Sequence, residues 1–211
     1  MRHLEAVIPE RAVLPVCNSG CSMAWLRLAI RLRPEDEGLG GRKLPYTQKI
    51  WFPYHIYTFE MTSRKDPGIM QVSVESWSGA FAIFQLAEHL RDSLPDDGEI
   101  FAPKLSIEDC EPHARDNLIH TIMRQRSRFG GKPVPGDIIE RETILYPLWV
   151  FYYARKSNVI DVKLVDGMSG RQSGHRTRSG VLEAFVAKKQ GGDPGEATGG
   201  EPAKDPNGEK D

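Results

Sequence analysis

Two stretches of this chain are dense in apolar residues on both alternating faces. The first runs from Lys49 to Met61 and holds Ile50, Trp51, Phe52, Tyr54, Ile56, Tyr57 and Phe59; the second runs from about Glu142 to Ala154 and holds Ile144, Leu145, Tyr146, Leu148, Trp149, Val150, Phe151, Tyr152 and Tyr153. Runs this rich in aromatic and β-branched residues predict long strands. Each is followed by a polar turn, Ser63-Arg64-Lys65-Asp66-Pro67-Gly68 and Arg155-Lys156-Ser157-Asn158, and then by a shorter run, Ile69 to Glu75 and Val159 to Val165. These are the marks of two β-hairpins. Helical spacing takes over elsewhere: Ala80, Ile83, Phe84, Ala87 and Leu90 predict a helix from Ala80 to about Ser93. Ala114, Leu118, Ile119, Ile122 and Met123 predict a second, with Pro112 in its first turn, and Val181, Leu182, Phe185 and Val186 a third. Near the amino end, Leu26, Leu28, Ile30 and Leu32 alternate with Arg27, Arg31 and Arg33, the period of a half-buried strand, with a short helix as the alternative reading.

The pattern repeats. Ile50-Trp51-Phe52-Pro53-Tyr54 returns 94 residues later as Ile144-Leu145-Tyr146-Pro147-Leu148, and the return strands close on Ser78-Gly79 and Ser169-Gly170. Aligning the Ser-Gly pairs sets Val72 against Lys163, so matching the alternation needs a one-residue slip, which a bulge near Val165 would supply. Pro53 and Pro147 fall at the same place in both copies and mark strand starts or bends. The expected architecture is an α+β fold: two pseudo-symmetric hairpin-plus-helix units on one mixed or mostly antiparallel sheet, with helices on one face. A single domain then spans residues 1–189, with the duplication at about 46–93 and 142–189. From residue 190 to 211 the chain turns to Gly, Pro, Asp, Glu and Lys without a large apolar residue, and this tail is expected to be disordered. Lys132-Pro133-Val134-Pro135-Gly136 reads as a stiff connector into the second copy.

Composition narrows the classes. With 39 % hydrophobic and 27 % charged residues in 211, the chain is long enough for a sizeable core, and a net charge of −1 argues against wholesale coating of nucleic acid or an anionic membrane. The first eleven residues interrupt every apolar run with a charge, and no run reaches a membrane span, so a cytoplasmic protein is expected. Three cysteines are too few for a disulfide framework.

Ten of the eighteen aromatic residues lie in Trp51 to Phe59 and Tyr146 to Tyr153, which makes these strands the core. The same density offers a second reading, in which the polar ends of Tyr54, Tyr57, Tyr146 and Tyr153, with His55, line a ligand groove. The return strands end in Val74-Glu75-Ser76-Trp77-Ser78-Gly79 and Val165-Asp166-Gly167-Met168-Ser169-Gly170, where a carboxylate and a hydroxyl can bond the turn backbone and glycine can take a positive φ. This ending resembles that of the PepSY family, bacterial hairpin modules that close on a Val-Asp-x-x-Thr-Gly-like turn. The resemblance implies a non-catalytic regulatory or binding module of α+β type and draws attention to Asp166.

Other candidate chemistry is sparse. Cys17 and Cys21 form a C-x3-C half-site, and Cys110 with His113 forms a C-x2-H half-site; together they would supply the four ligands of a structural Zn²⁺. Arg124, Arg126, Arg128 and Lys132 form a basic run, and Arg171, His175, Arg176 and Arg178 a second, which could converge on a phosphate or nucleic acid. The simpler role of the first run is to complement a helix C-terminus. No P-loop, GxGxxG, GxSxG or HExxH is present. The favoured expectation is a non-enzymatic binding or assembly module for an unidentified protein or small molecule. Two alternatives are a zinc-stabilised protein with a nucleic-acid contact and an enzyme without a recognisable motif.

Overall fold

The computed structural model describes residues 1–19, 44–62, 67–124, 133–156 and 159–190; the expected strand at 26–32, Cys21, Arg126, Arg128, Lys132 and the tail from residue 191 lie outside them. In chain order the described elements are β1 (Arg2–Leu4), α1 (Val13–Ser19), β2 (Tyr46–Thr62), β3 (Gly68–Glu75), β4 (Phe81–Ile83), β5 (Leu90–Arg91), β6 (Glu99–Ile100), α2 (Ile107–Arg124), β7 (Val134–Lys156), β8 (Val159–Asp166) and α3 (His175–Gln190). The fold is α+β, with one mixed sheet of eight strands.

At its centre β2 and β7 pair antiparallel, and Phe52 lies opposite Tyr146, the residue 94 positions on. About that pair the two strands are arranged alike: Trp51 faces Pro147 and Pro53 faces Leu145. On its outer side β2 carries antiparallel β3 and then parallel β6; on its outer side β7 carries antiparallel β8 and then parallel β1. The prolines sit where one outer partner gives way to the other. Ser76 donates its N–H to the Pro53 carbonyl and Phe101 donates to Trp51, so the missing N–H of Pro53 points into the gap between β3 and β6. Gly167 donates to Pro147 in the same way. Proline is therefore accommodated in mid-strand, rather than at a strand start, because no ladder bond is available at that point.

Both faces of β2 are buried: Ile50, Phe52 and Ile56 on one side, Trp51, His55, Tyr57 and Phe59 on the other. Each face needs its own cover, so the helices lie on both faces and not on one as expected. Val181 and Ala184 of α3 pack on Ile50, Phe52, Leu148 and Val150. On the opposite face, Cys110, Ala114, Leu118 and Ile122 of α2 pack on Tyr57, Phe59, Val72 and Val74. Val13 and Cys17 of α1 cover Trp149, Phe151 and Val165 at the other end of that face.

Four further expectations are corrected. Residues 80–93 do not form a helix: Phe81 to Ile83 pair with Val74 to Val72, and a 3-10 turn at Ala87–His89 leads into β5. The open edge of β3 claims this segment, and its backbone bonds outweigh a weak helical pattern. Residues 134–136 are not a connector but the start of β7, where Pro135 lies opposite Met61. The register of β8 runs without a break past Val165, and the irregularity lies at Ala154/Lys156. Lys163 accordingly occupies the place of Val72, and its ammonium donates to the Cys17 carbonyl at the end of α1 (2.6 Å). Helix α2 also begins before Pro112; Ser106 caps it by accepting the Asp109 N–H at 3.1 Å, and Pro112 lies inside.

Candidate functional site

The two hairpins end in matching acidic turns. Glu75 accepts backbone N–H bonds from Trp77 and Ser78 (2.8 Å from Ser78) and the Ser78 hydroxyl; Asp166 accepts them from Met168 (2.9 Å) and Ser169 (2.8 Å). Gly79 donates to the Glu75 carbonyl and Gly170 to that of Asp166, both at 2.9 Å, with φ of +67° and +69°. Only glycine takes that conformation without strain, which explains the Ser-Gly endings. The Tyr146 hydroxyl donates to Asp166 (2.8 Å), and the Tyr54 ring lies 4.8 Å from that of Tyr146. Burial, then the charges of Glu75 and Asp166, push the Tyr54 hydroxyl far above its usual range, and burial raises the Glu75 carboxyl against the bonds that hold it down. Both acids are thus held by their own turns. The Glu75 turn lies close under α3, where a Cβ added to Gly180 would stand within 3.0 to 3.3 Å of the Glu75 carboxylate and of the Trp77 and Ser78 Cβ atoms.

The other sequence-suggested residues face elsewhere. His55 lies under α2, its Nε2 at 2.9 Å from the Leu105 carbonyl and its Nδ1 at 2.9 Å from Thr143 Oγ1. A carbonyl only accepts, so Nε2 carries the proton and Nδ1 accepts from the threonine. Burial lowers the His55 pKa, which keeps this ring neutral. The Tyr57 hydroxyl donates to the Ile107 carbonyl (2.5 Å) and that of Tyr153 to Asp161 (3.0 Å). Tyr54, Tyr146 and Asp166 come together on one face, His55 and Tyr57 on the other, and Tyr153 at its far end. They do not line one groove.

Cys17 and Cys110 are both buried, in separate clusters under α1 and α2, while His113 is exposed. Among the described residues no group of three or more His, Cys, Asp or Glu is placed to hold a metal ion. Arg178 is engaged by Asp161 and by the Val162 carbonyl (3.0 Å), and Arg124 ends α2. No helix among the described residues is long and apolar enough to cross a membrane.

What the fold does form is a cleft of about 610 Å³ between α3 and the sheet. Its floor is the stacked pair Tyr46 and Tyr152, 4.6 Å apart, with Ile160 and Val162; its wall is Leu182, Phe185 and Val186 of α3. Phe185 meets Tyr152 edge-on at 6.3 Å and Phe101 at 5.1 Å, which fixes the ring. The rim is polar. The Tyr152 hydroxyl donates to Gln48 Oε1 (3.2 Å), the Gln48 amide donates to Glu99 (2.7 Å), and Lys188 donates to the other Glu99 oxygen (2.6 Å). An apolar interior with a few placed polar groups is the usual composition of a small-molecule site. The sequence signal was present in part: α3 has one more apolar position than the sheet covers, and Val186 stays 55 % exposed. Glu99 and Gln48 carried no such signal, because only the β2–β6 pairing brings them together.

Neither protein-family models, curated proteins nor solved structures give a match to this chain. The fold and cleft define its class: an α+β protein with a central antiparallel strand pair and an aromatic cleft under its C-terminal helix.

Proposed function

We propose that this chain is a non-enzymatic binding module, made by duplication of a hairpin unit, whose ligand occupies the cleft under α3. The observation that carries the reading is a division of labour. The cleft is lined by rings and aliphatic side chains, while Glu75, Asp166 and His55, the groups suited to acid-base work, are each consumed by bonds to the backbone or a neighbouring side chain. A catalytic site needs such groups free and convergent beside a reacting atom. The likeness of both turns to PepSY endings supports a binding rather than a catalytic module, and the even arrangement about Phe52 and Tyr146 supports duplication.

The test uses Nile red, an uncharged dye that brightens in apolar sites. Wild type should bind it saturably, and Val186→Glu should abolish the signal while leaving the melting temperature within about 2 °C, since an exposed substitution changes stability by under ~0.5 kcal/mol. Binding unaffected by Val186→Glu would refute this site.

A further inference from the structure

We infer that the cleft under α3 is selective for a small amphipathic carboxylate, an apolar chain or ring that ends in one anionic group. This rests on the reading of the cleft as a binding site. The volume of about 610 Å³ is that of a small-molecule pocket, and no charged side chain stands in its interior: Ile160, Val162, Leu182 and Phe185 are apolar, and Tyr46 and Tyr152 add rings with a hydroxyl each, that of Tyr152 taken by Gln48. The ligand's body must therefore be apolar, and any charge must stay at the mouth.

The mouth has a sign. Three charged groups stand there: Glu99, Lys188 and Lys189. Glu99 is neutralised, since one carboxylate oxygen accepts from Lys188 and the other from the Gln48 amide. The Gln48 carbonyl oxygen is in turn occupied by the Tyr152 hydroxyl. Lys189 has no ion-pair or hydrogen-bond partner among the described residues. One net positive charge thus remains, on a flexible side chain beside an aromatic floor. A carboxylate is the complement; an ammonium at the same place would meet two lysines and a carboxylate already engaged.

The experiment is displacement of Nile red, at concentrations below micelle formation, by three twelve-carbon probes: dodecanoate, dodecanol and dodecyltrimethylammonium. Dodecanoate should displace the dye at about tenfold lower concentration than either of the others. Lys189→Glu should remove that preference, and Lys189→Arg should keep it. Equal displacement by all three probes, with dye binding still lost in Val186→Glu, overturns the carboxylate preference and leaves the binding site standing. If Val186→Glu does not affect the dye, the binding site itself falls. A protein that sediments as a dimer and becomes monomeric on Val186→Glu would assign the cleft to a second copy of the chain and overturn the proposal.

Discussion

Replacing Gly180 by alanine tests whether the acidic turn under α3 is as rigid as its bonding implies. In an open helix interior this substitution stabilises by about 1 kcal/mol, because alanine loses less backbone entropy on folding. Here a Cβ would stand 3.0 Å from Glu75 Oε2, 3.1 Å from Trp77 Cβ and 3.3 Å from Ser78 Cβ. Comfortable carbon contacts lie near ~3.5 to 4.0 Å, so three atoms must each yield by a few tenths of an ångström. None can do so cheaply. Glu75 is fully buried and held by the Trp77 and Ser78 N–H groups, and the two Cβ atoms are fixed to a turn set by Gly79. The helix must lift instead, which loosens Val181 and Ala184 from the core. Overpacking of this kind costs about 1 to 3 kcal/mol and exceeds the helical gain, so Gly180→Ala should destabilise by about 1 kcal/mol, a fall of about 2 to 4 °C in Tm. Urea unfolding of Gly180→Ala beside Ser179→Ala, its exposed neighbour, separates the two effects: the neighbour should gain a few tenths of a kcal/mol. A Gly180→Ala protein as stable as wild type, or more so, would refute the rigid turn.

Gly167→Ala should cost more, about 3 kcal/mol by the same assay, because its Cβ would lie 2.7 Å from the Pro147 carbonyl oxygen. The lowered pKa of His55 gives a pH signature: the unfolded ring takes up a proton near pH 6.5 and the folded one does not, so its contribution to stability is lost as pH falls from 6.5 toward the folded value. Glu75, whose carboxyl burial raises, acts with the opposite sign, so the readout is the difference in slope between wild type and His55→Asn from pH 7 to 5, with wild type losing more. Burial, then the charges of Asp109 and Glu75, push the Cys110 thiol up to about 11, and a disulfide reagent at pH 7.5 should label it only at the rate of unfolding; prompt labelling in the native state would contradict its buried position.

Much of the fold follows from local pattern. The two aromatic strands, both return strands and the last helix were legible because period and turn chemistry are properties of neighbouring residues. The acidic turns were legible for the same reason: Glu75 and Asp166 bond N–H groups two and three residues on. Residues 80–93 were not, since their apolar spacing suits a weak helix and only the open edge of β3 decides for a strand. Nor was the separation of His55 and Tyr57 from Tyr54 and Tyr146 drawn out, although alternation alone sends neighbours in a strand to opposite faces. The cleft depended most on tertiary structure. Tyr46, Glu99, Tyr152 and Lys188 come from four elements far apart in the chain, and only the pairing of β2 with β6 and β7, under α3, brings them to one rim. Short-range periodicity settles which residues are buried; contacts between distant strands settle which of them meet, because no local free energy distinguishes one long-range partner from another.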